Sequence, residues 1–355
     1  MSKKNILMVG PLDTAGGWGN AFRMYARAFS SFANVNLQNF YMGGSQIAID
    51  DDLQKLVNNR SDEYDALVQV TFPQWFVPNT AAKKNIGITF TENSMSGAFL
   101  KSSRMSQLDT LIVSSSLEKE QIKNGHGLLD IVVCPPPFTY APIERHEETR
   151  TKLTADDKTI VFYTIGEFSD RKNIDCIIKA YLREFSQNDN VLLVIKTNQD
   201  IVDYAKDIQK TMGCGHAAQY PKMLIIHENI SPQDIENLHS ACDIYVNASR
   251  GEALCIPGVT AMRYGHPTII PEGSPMQDFN KTYVFSATEE VCFVKNKPIK
   301  DYYSSDTTWR EPSCLDLSRK MRETYKNFGQ QQNSYNLSSV EFDEVVRKLK
   351  ETINE

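Results

Sequence analysis

Short apolar runs alternate with helical patterns along most of the chain. Residues Ile6–Val9 precede a glycine-rich loop, and then Phe22, Tyr25, Phe29 and Phe32 follow at the three- and four-residue spacing of a buried helical face. The pattern predicts further strands at Val35–Phe40, Tyr64–Val70, Ile86–Phe90, Thr110–Val113 and Ile131–Cys134. Because helical stretches separate several of these strands, we predict a mostly parallel sheet.

A second series of strands and helices follows a proline-rich interruption. The run Cys134–Pro137 and the polar segment after it indicate a boundary, so we expect domains at residues 1–140 and 158–330 with a linker at 141–157. The elements predicted for the second domain are strands at Thr159–Thr164, Val191–Ile195, Met223–His227 and Asp243–Val246, and helices at Ile174–Phe185, Ile201–Thr211 and from Ser231–Pro232 onward.

The end of the chain carries one more amphipathic pattern. Within residues 331–355, apolar positions from Val340 to Ile353 predict a helix, which is a candidate to pack back on the first domain. The whole pattern therefore predicts an α/β fold of two Rossmann-like βαβ domains that face a central cleft, with ligands at the carboxyl ends of the strands.

Composition narrows the class of protein. With 355 residues, 41% of them hydrophobic and 23% charged, the chain has the composition of a globular protein large enough for two domains. The net charge of −6 gives no general attraction to nucleic acid or anionic lipid. No apolar run has the length of a membrane span, and Ile6–Val9 is too short for a signal peptide, so we expect a cytoplasmic protein.

The cysteines predict neither a disulfide framework nor a metal site. All seven are scattered, which indicates reduced thiols. The nearest thing to a metal-binding pair is Cys214 with His216, but no second pair stands at ligand spacing. We therefore expect no metal ion and no cofactor.

Two glycine-containing loops are candidates to bind an anion. Gly16 and Gly17 lie between the first strand and the first helix, where free N–H groups and the helix dipole favour a phosphate. Gly166 similarly follows a strand and precedes Arg171 and Lys172 at the start of a helix, where a diphosphate would compensate both cations. The alternatives are a turn that needs only glycine and a solvated pair of charges.

A third segment places a carboxylate at the edge of the second sheet. Glu252 lies between the strand that ends at Val246 and a short helix that stops at Gly265 and Pro267. A carboxylate in this position can accept hydrogen bonds from sugar hydroxyls.

The order and spacing of these motifs resemble the GT-B glycosyltransferases of the group 1 (GT4) type. The resemblance runs from Ile6 to about Thr268 and rests on Gly16–Gly17, Gly166 with Arg171–Lys172, and Ser249-x-x-Glu252 with Pro257, Ala261–Met262 and Gly265-x-Pro267. It implies a retaining, metal-independent transferase that takes its sugar from a nucleotide diphosphate sugar, with a UDP-sugar as the first choice.

The resemblance also implies roles for individual residues. Lys172 with Arg171 is expected to neutralise the donor diphosphate, and Glu252 to hold the hydroxyls of the donor sugar. The other donor-binding positions implied are Gly16, Gly17, Gly166, Asn229, Ile230, Ala253, Leu254, Cys255, Ile256 and Thr260. Asn229 and Ile230 match the segment that holds the nucleobase in the family.

Two positions depart from the family pattern. Glu167 stands where the family usually has an arginine, and Thr260 stands where it usually has a glutamate that contacts the ribose. A threonine cannot accept two hydrogen bonds from a diol as a carboxylate does. These departures leave the nucleotide choice and the level of activity open.

The first domain supplies the expected acceptor side. Glu92 follows a strand and is a candidate to orient an acceptor hydroxyl, or else to cap the next turn. Trp18 and Trp75–Phe76 are candidates to stack on an acceptor, or else core residues. The acceptor stays open between a glycan, a small metabolite, a lipid-linked sugar and a modified nucleic-acid base. Two alternative functions also stay open: a sugar-nucleotide epimerase of GT-B fold and a catalytically degenerate sugar-nucleotide-binding protein.

Overall fold

The chain divides into two compact units. The computed structural model describes residues 3–92, 94, 104–123, 129–138, 142–154, 156–212, 220–292, 307–330 and 333–354. Unit 1 consists of Met1–Tyr140, Pro298–Thr307 and Leu337–Glu355, and unit 2 consists of Ala141–Lys297 and Thr308–Asn336. Unit 1 thus combines three segments of the chain and unit 2 combines two, and the last segment, Leu337–Glu355, belongs to unit 1.

Unit 1 contains a six-stranded parallel sheet. Strands β1 to β6 are Asn5–Gly10, Asn34–Asn39, Tyr64–Val70, Ala82–Ile88, Thr110–Val113 and Asp130–Val133. Their order in the sheet is β2-β1-β3-β4-β5-β6, and every neighbouring pair is parallel. Helices α1 to α3 are Gly17–Ser30, Asp51–Val57 and Ser116–Lys123. Parallel pairing brings the carboxyl ends of all six strands to one edge.

The first βα unit shows why the pattern folds in this way. Phe22, Tyr25 and Phe29 of α1 are fully buried, as their spacing predicts. Gly10, the last residue of β1, allows the helix to approach closely, because a Cβ atom there would lie 2.3 Å from the ring of Phe22. The ring of Phe22 therefore packs directly against the backbone of β1 at Gly10.

Unit 2 repeats the architecture. Strands β7 to β12 are Ile160–Ile165, Val191–Lys196, Lys222–Ile226, Ile244–Val246, Thr268–Pro271 and Val284–Phe285. They form a parallel sheet of order β12-β11-β10-β7-β8-β9, and β13 (Ala287–Val291) pairs antiparallel with β14 (Thr308–Pro312). Helices α4 to α9 are Glu147–Leu153, Ile174–Glu184, Val202–Thr211, Pro232–Ala241, Ile256–Arg263 and Cys314–Lys326. Helix α7 begins as predicted, with a capping box between Ser231 and Asp234.

The segment 141–157 is not a plain linker, because α4 lies within it. Arg150 of this helix is 2% exposed and donates to the carbonyl of Ala241 at 3.0 Å and to the carboxylate of Asp243 at 2.8 Å. Its second guanidinium nitrogen donates to the carbonyl of Thr159. A single buried arginine thus anchors this polar helix to unit 2, which the hydrophobic pattern could not indicate.

The last helix, α10 (Phe342–Asn354), belongs to unit 1. Val345 and Leu349 are fully buried on its apolar face. Lys4 donates to the carbonyl of Ile353 at 2.8 Å, and Lys84 donates to the carbonyl of Thr352 at 2.6 Å. Two lysines, one just before β1 and one in β4, therefore satisfy carbonyls at the helix C-terminus, where a positive charge also interacts favourably with the helix dipole.

The cysteines differ from the prediction at one pair. Cys176 of α5 and Cys314, the first residue of α9, form a disulfide with their Cα atoms 5.3 Å apart. The prediction that all seven thiols are reduced is therefore wrong, because residues 138 positions apart in sequence become neighbours in the fold. Cys134, Cys242, Cys255 and Cys292 are buried. Within the described ranges, no helix is long and apolar enough to cross a membrane.

Candidate active site

The carboxyl edge of the sheet in unit 2 brings three of the predicted residues together. Strands β7 and β10 are neighbours and run in parallel. The loop after β7 carries Arg171 and Lys172, and the loop after β10 carries Glu252. The backbone N–H of Arg250 donates to the carbonyl of Arg171 at 2.8 Å, which joins the two loops directly.

Glu252 is the centre of this cluster. Its side chain is 7% exposed, and one oxygen accepts from the Nζ of Lys172 at 2.6 Å and from the Oγ of Ser249 at 2.7 Å. The amide nitrogen of Asn247 lies 3.4 Å from that same oxygen, and the other oxygen lies 3.4 Å from a guanidinium nitrogen of Arg171. Four donors therefore surround one carboxylate.

These donors keep Glu252 ionised. Burial raises the pKa of a carboxyl group, but here the charges of Lys172 and Arg171 and the hydrogen bonds from Lys172 and Ser249 outweigh it, and the pKa of Glu252 falls to about 2. The cluster consequently presents an ionised carboxylate in contact with Lys172 and Arg171 throughout the physiological pH range.

Glu167, the first departure from the family pattern, belongs to the same cluster. Its carboxylate accepts from Arg171 at 3.2 Å and from Ser169 at 3.3 Å, while its side chain is 49% exposed. Arg171 also donates to the carbonyl of Gly251 at 2.9 Å. The two cations of the cluster therefore face two carboxylates, and Arg171 divides its donors between them.

Arg250 joins the cluster to the antiparallel pair β13–β14. Its guanidinium pairs with the carboxylate of Glu311, donates to the carbonyl of Asp170 and lies 5.4 Å from the centre of the Trp309 ring. Its own carbonyl accepts from the N–H of Arg310 at 2.9 Å. Arg250 thus holds both loops of the cluster against a part of the chain about 60 residues away.

Two helices next to the cluster start from strained backbone. Among the described residues, Asn173 (φ 50°) and Cys255 (φ 63°) are the non-glycine residues with positive φ, and each directly precedes a helix, α5 and α8 respectively. Such conformations cost about 1–3 kcal/mol and concentrate at functional sites. Each of the two loops that carry the charged cluster therefore ends in a strained residue.

The start of α8 contains the segment that the resemblance assigns to the donor phosphates. Ala253, Leu254 and Cys255 are buried in the turn, and Ile256 is the first helical residue. The first N–H groups of a helix have no partner within it and can bind an anion. Thr260, the second departure, is 9% exposed and donates its hydroxyl to the carbonyl of Ile256 at 3.0 Å.

The remaining donor-side residues lie at the same sheet edge but outside the charged cluster. Gly166 directly follows β7, and its N–H donates to the carbonyl of Lys196. Asn229 is exposed and Ile230 is half-buried in the loop between β9 and α7. Because β9 is two strands away from β7, these two residues lie farther along the edge.

Unit 1 holds the other predicted residues at its own carboxyl edge. Gly16 has a φ of 95° and precedes α1, in which Gly17 is the first residue. Arg23 of α1 donates to the carbonyls of Leu12 and Thr14 at 3.0 Å and fixes this loop. Trp18 is half-buried, as is Glu92, which follows β4.

Of the two remaining aromatic candidates, Phe76 is fully buried and Trp75 is half-buried. Phe76 is therefore a core residue, whereas Trp75 keeps part of its surface exposed. Cys214 and His216 lie outside the described residues.

Three polar residues of these edges were not among the predicted site residues. Asn247 and Ser249 hold Glu252, and their position just after β10 could have indicated them. Glu118 is fully buried in unit 1, where one oxygen accepts from the N–H and hydroxyl of Thr91 and the other from the N–H and hydroxyl of Ser114. Burial raises the pKa of Glu118 to about 7 in spite of these hydrogen bonds.

Comparison with known proteins gives a family-model match within unit 2 and a fold for the whole chain. Residues 145–298 match the model of the family described as glycosyl transferases group 1. No curated protein sequence matches the chain. The solved structures that it resembles include Anabaena Alr3699/HepE in complex with UDP and glucose, with 13% identity, 99% of both chains covered and a TM-score of 0.67.

Two further structures show the same similarity. Sucrose-phosphate synthase from Thermosynechococcus elongatus has 11% identity and a TM-score of 0.65, with 99% of this chain and 98% of that chain covered. The catalytic domain of starch synthase IV from Arabidopsis thaliana, bound to ADP and acarbose, has 9% identity and a TM-score of 0.59, with 100% and 99% covered. At these identities the similarity concerns the fold, and it confirms the predicted α/β architecture of two parallel-sheet domains.

Proposed function

We propose that this chain is a group 1 glycosyltransferase of GT-B fold and that it transfers a sugar from a UDP-sugar to an acceptor hydroxyl with retention of configuration and without a metal ion. The observation that carries the proposal is the cluster of Lys172, Arg171 and Glu252 beside the start of α8. It combines cations for a diphosphate with a carboxylate for sugar hydroxyls.

Lys172 and Arg171 serve the leaving group in this proposal. When the bond between the sugar and the diphosphate breaks, negative charge develops on the departing phosphate oxygen. Two cations held in place before the reaction stabilise that charge at little cost of reorganisation. Together with the positive end of the α8 dipole, they supply the positive potential that a metal ion supplies in other transferases.

Glu252 serves the donor sugar. Its pKa of about 2 keeps it ionised, so it accepts hydrogen bonds from sugar hydroxyls throughout the physiological pH range. Ser249 and Asn247 hold the carboxylate in position while Lys172 turns toward the diphosphate. Glu252 is thus the residue proposed to distinguish a UDP-sugar from UDP alone.

A similar solved structure supports the choice of UDP, whereas Thr260 weakens the recognition that we expect for its ribose. Alr3699/HepE was crystallised in complexes with UDP and with UDP-glucose. The hydroxyl of Thr260 already donates to the carbonyl of Ile256, so no side-chain proton of this residue remains for a ribose. We therefore expect weaker ribose recognition here than a carboxylate would give.

The experiment that tests the function is a screen of UDP-, GDP-, ADP- and dTDP-sugars with the purified protein in the presence of a chelator. A UDP-sugar is expected to raise the melting temperature and to release UDP slowly without an acceptor. Retention is checked from the anomeric configuration of a transfer product. Stabilisation by sugar nucleotides without any turnover would instead favour the binding-only alternative, in which Glu167 blocks Arg171.

The substitution Glu252→Gln tests the role of the carboxylate. We expect the KM for the UDP-sugar to rise by about tenfold or more while the affinity for UDP, measured by calorimetry, changes much less. Asp203→Asn, which alters an exposed carboxylate on α6, is the matched control. Equal losses for UDP-sugar and UDP would show that Glu252 does not contact the sugar.

A further inference from the structure

The disulfide between Cys176 and Cys314 joins the first turns of two helices of unit 2. Cys176 belongs to the first turn of α5, and Cys314 is the first residue of α9. In the chain, α5 follows the loop that carries Lys172, and α9 follows β14, which contains Glu311. The disulfide therefore connects the helix next to the charged cluster with the helix next to the strand that binds Arg250.

A second connection joins the same two parts of the chain without a covalent bond. The carboxylate of Glu311 accepts from the guanidinium of Arg250 at 2.9 Å, and the N–H of Arg250 donates to the carbonyl of Arg171 at 2.8 Å. Lys172 follows Arg171 directly and leads through Asn173 into α5. The disulfide thus closes a ring that runs from Lys172 along the start of α5, across to α9 and β14, and back through Arg250 to Arg171.

The opposite ends of α5 and α9 are held together by other contacts. Arg322 of α9 donates to the carboxylate of Glu184 at 2.9 Å and to that of Asp189 at 2.6 Å. Its guanidinium also lies 4.3 Å from the centre of the Phe185 ring, and Leu317 of α9 is fully buried in the core that α5 shares. We therefore expect cleavage of the disulfide to release the starts of the two helices, beside the charged cluster, while their far ends stay packed.

The two cysteines differ in exposure. Cys176 is buried, whereas Cys314 is half-buried and precedes the exposed Leu315. Both cysteines lie in the first turn of a helix, where the helix dipole stabilises a thiolate. Because stabilised thiolates favour the dithiol form, a disulfide in this position is reduced more readily than one without such helices. A small thiol can therefore attack at Cys314, and the leaving thiolate of Cys176 is stabilised.

We propose that Cys176 and Cys314 form a reversible modification site for low-molecular-weight thiols, and that reduction of this site weakens binding of the sugar nucleotide. The inference rests on the proposed function and adds regulation to the same site. In the disulfide state, the closed ring holds the loop of Arg171 and Lys172 in place beside α8. In the dithiol state, the ring is open at the starts of α5 and α9, and the loop depends on its contacts with Arg250.

The reduction balances with two equivalents of a thiol. The first thiol loses its proton and attacks the Sγ of Cys314, the bond between the two protein sulfurs breaks, and the electron pair leaves with Cys176, which takes up a proton. The second thiol attacks the small-molecule sulfur of the mixed disulfide, and Cys314 leaves as a thiolate and takes up a proton. Two small thiols are thus oxidised to one disulfide, and the reverse reaction restores the bond between Cys176 and Cys314.

The test uses the full chain equilibrated in a series of mixtures of reduced and oxidised glutathione. Alkylation of free thiols followed by mass spectrometry of the intact chain gives the fraction of chains that hold the disulfide. The KM for the UDP-sugar and the Kd for UDP are measured on the same samples. As the fraction with the disulfide falls, we expect both constants to rise by about fivefold or more, while circular dichroism shows a folded chain throughout.

Variants of the two cysteines remove the disulfide without a reductant. Cys314→Ser and Cys176→Ser each lack one sulfur, so the Kd of each for UDP should match that of the reduced wild type and should not respond to glutathione. Cys134→Ser alters a buried cysteine of unit 1 and is the matched control, which should respond as the wild type does. A purely structural disulfide would change the melting temperature and leave the KM and the Kd at room temperature unchanged.

The outcomes separate the inference from the function on which it rests. If UDP binds but all cysteines are alkylated even in oxidised glutathione, or if the disulfide forms and both constants stay the same when it is reduced, the proposed function stands and this inference is overturned. If UDP binds in no redox state, the proposed function fails. Hydrogen exchange in residues 166–172 then decides the inference, because equal exchange rates in the oxidised and reduced chain would overturn it as well.

Discussion

Glu252 and Glu118 are two buried carboxylates whose surroundings push their pKa values in opposite directions. Glu252 is surrounded by two cations and two neutral donors, and its pKa falls to about 2. Glu118 receives hydrogen bonds from neutral groups, and burial raises its pKa to about 7. The two pKa values therefore differ because Glu252 has full positive charges within contact distance and Glu118 receives hydrogen bonds from neutral groups.

Lys172→Ala is expected to lower kcat by about a hundredfold or more, because the variant loses a preorganised charge at the leaving group. The measurement is the steady-state rate of UDP release with a saturating UDP-sugar. Lys179→Ala is the control, since this lysine is half exposed on α5, the helix that follows Lys172, and pairs with Asp175. A kcat within a factor of two of wild type would remove Lys172 from the leaving-group role.

Glu118 predicts a pH dependence of stability. Its pKa in the folded chain lies above the ordinary value of 4.5, so between pH 4.5 and about 7 the folded chain retains a proton that the unfolded chain has released. The contribution of this group to the free energy of unfolding therefore falls as the pH rises through that window, by on the order of 3 kcal/mol in total.

The variant Glu118→Gln isolates this effect. Because glutamine does not titrate, the free energy of unfolding of the wild type should fall relative to the variant between pH 5 and 7 and run parallel above pH 8. Urea unfolding at a series of pH values measures the difference. Parallel curves from pH 5 to pH 8 would contradict the raised pKa.

At the scale of elements, the sequence predicted the strands that form continuous apolar runs. Strands β3 and β5 match their predicted bounds, and β1, β7 and β8 match within one residue at either end. Strands β11 to β14 were not predicted, because β11 and β12 are short and the sequences of β13 and β14 are mostly polar. Helices α4 and α9 were missed for a related reason, since polar residues dominate both.

The candidate site was predictable only where local sequence carried the signal. The loops with Lys172 and Glu252 follow recognisable strands, so their meeting at one edge follows from parallel pairing. The contacts of Arg250 with Glu311 and Trp309 were not predictable, because nothing in a local pattern specifies which distant segment pairs with an arginine. The same holds for the bond between Glu118 and Thr91, which are 27 residues apart.

Helix α8 gives a prediction about packing. A Cβ atom on Gly258 would lie 2.4 Å from the sulfur of Met276 and 3.2 Å from that of Cys255. Gly258→Ala should therefore lower the free energy of unfolding by about 1–3 kcal/mol, as overpacking does. The double variant with Met276→Ala should regain part of the loss caused by Gly258→Ala relative to Met276→Ala alone. Additive losses would show that the clash is not with Met276.

At the scale of the whole molecule, each unit is a complete α/β layer structure with its own sheet, and the proposed donor site belongs to unit 2. All donor-side charges lie in unit 2, within residues 166–172 and 247–260. A nucleotide that binds only there should therefore stabilise one unit selectively.

Hydrogen exchange with and without UDP checks this selectivity. We expect UDP to slow amide exchange by about tenfold or more in residues 166–172 and 247–258, and to have little effect on β3 or α10 of unit 1. Mass spectrometry of peptides from both units provides the measurement. Protection of unit 1 alone would place the nucleotide in unit 1 and refute the assignment of the donor site to unit 2.

The return of the chain to unit 1 has a consequence for synthesis on the ribosome. Lys4 emerges early, but the carbonyl that it binds belongs to Ile353, 349 residues later. All of unit 2 leaves the ribosome before α10 does, so unit 2 can complete its fold while the apolar surface that α10 covers in unit 1 is still bare. Domains usually finish in the order in which they are made. Unit 1 is therefore the first unit to be synthesised but the last to complete its fold. A chaperone that binds exposed apolar surface can bind unit 1 until α10 has been synthesised.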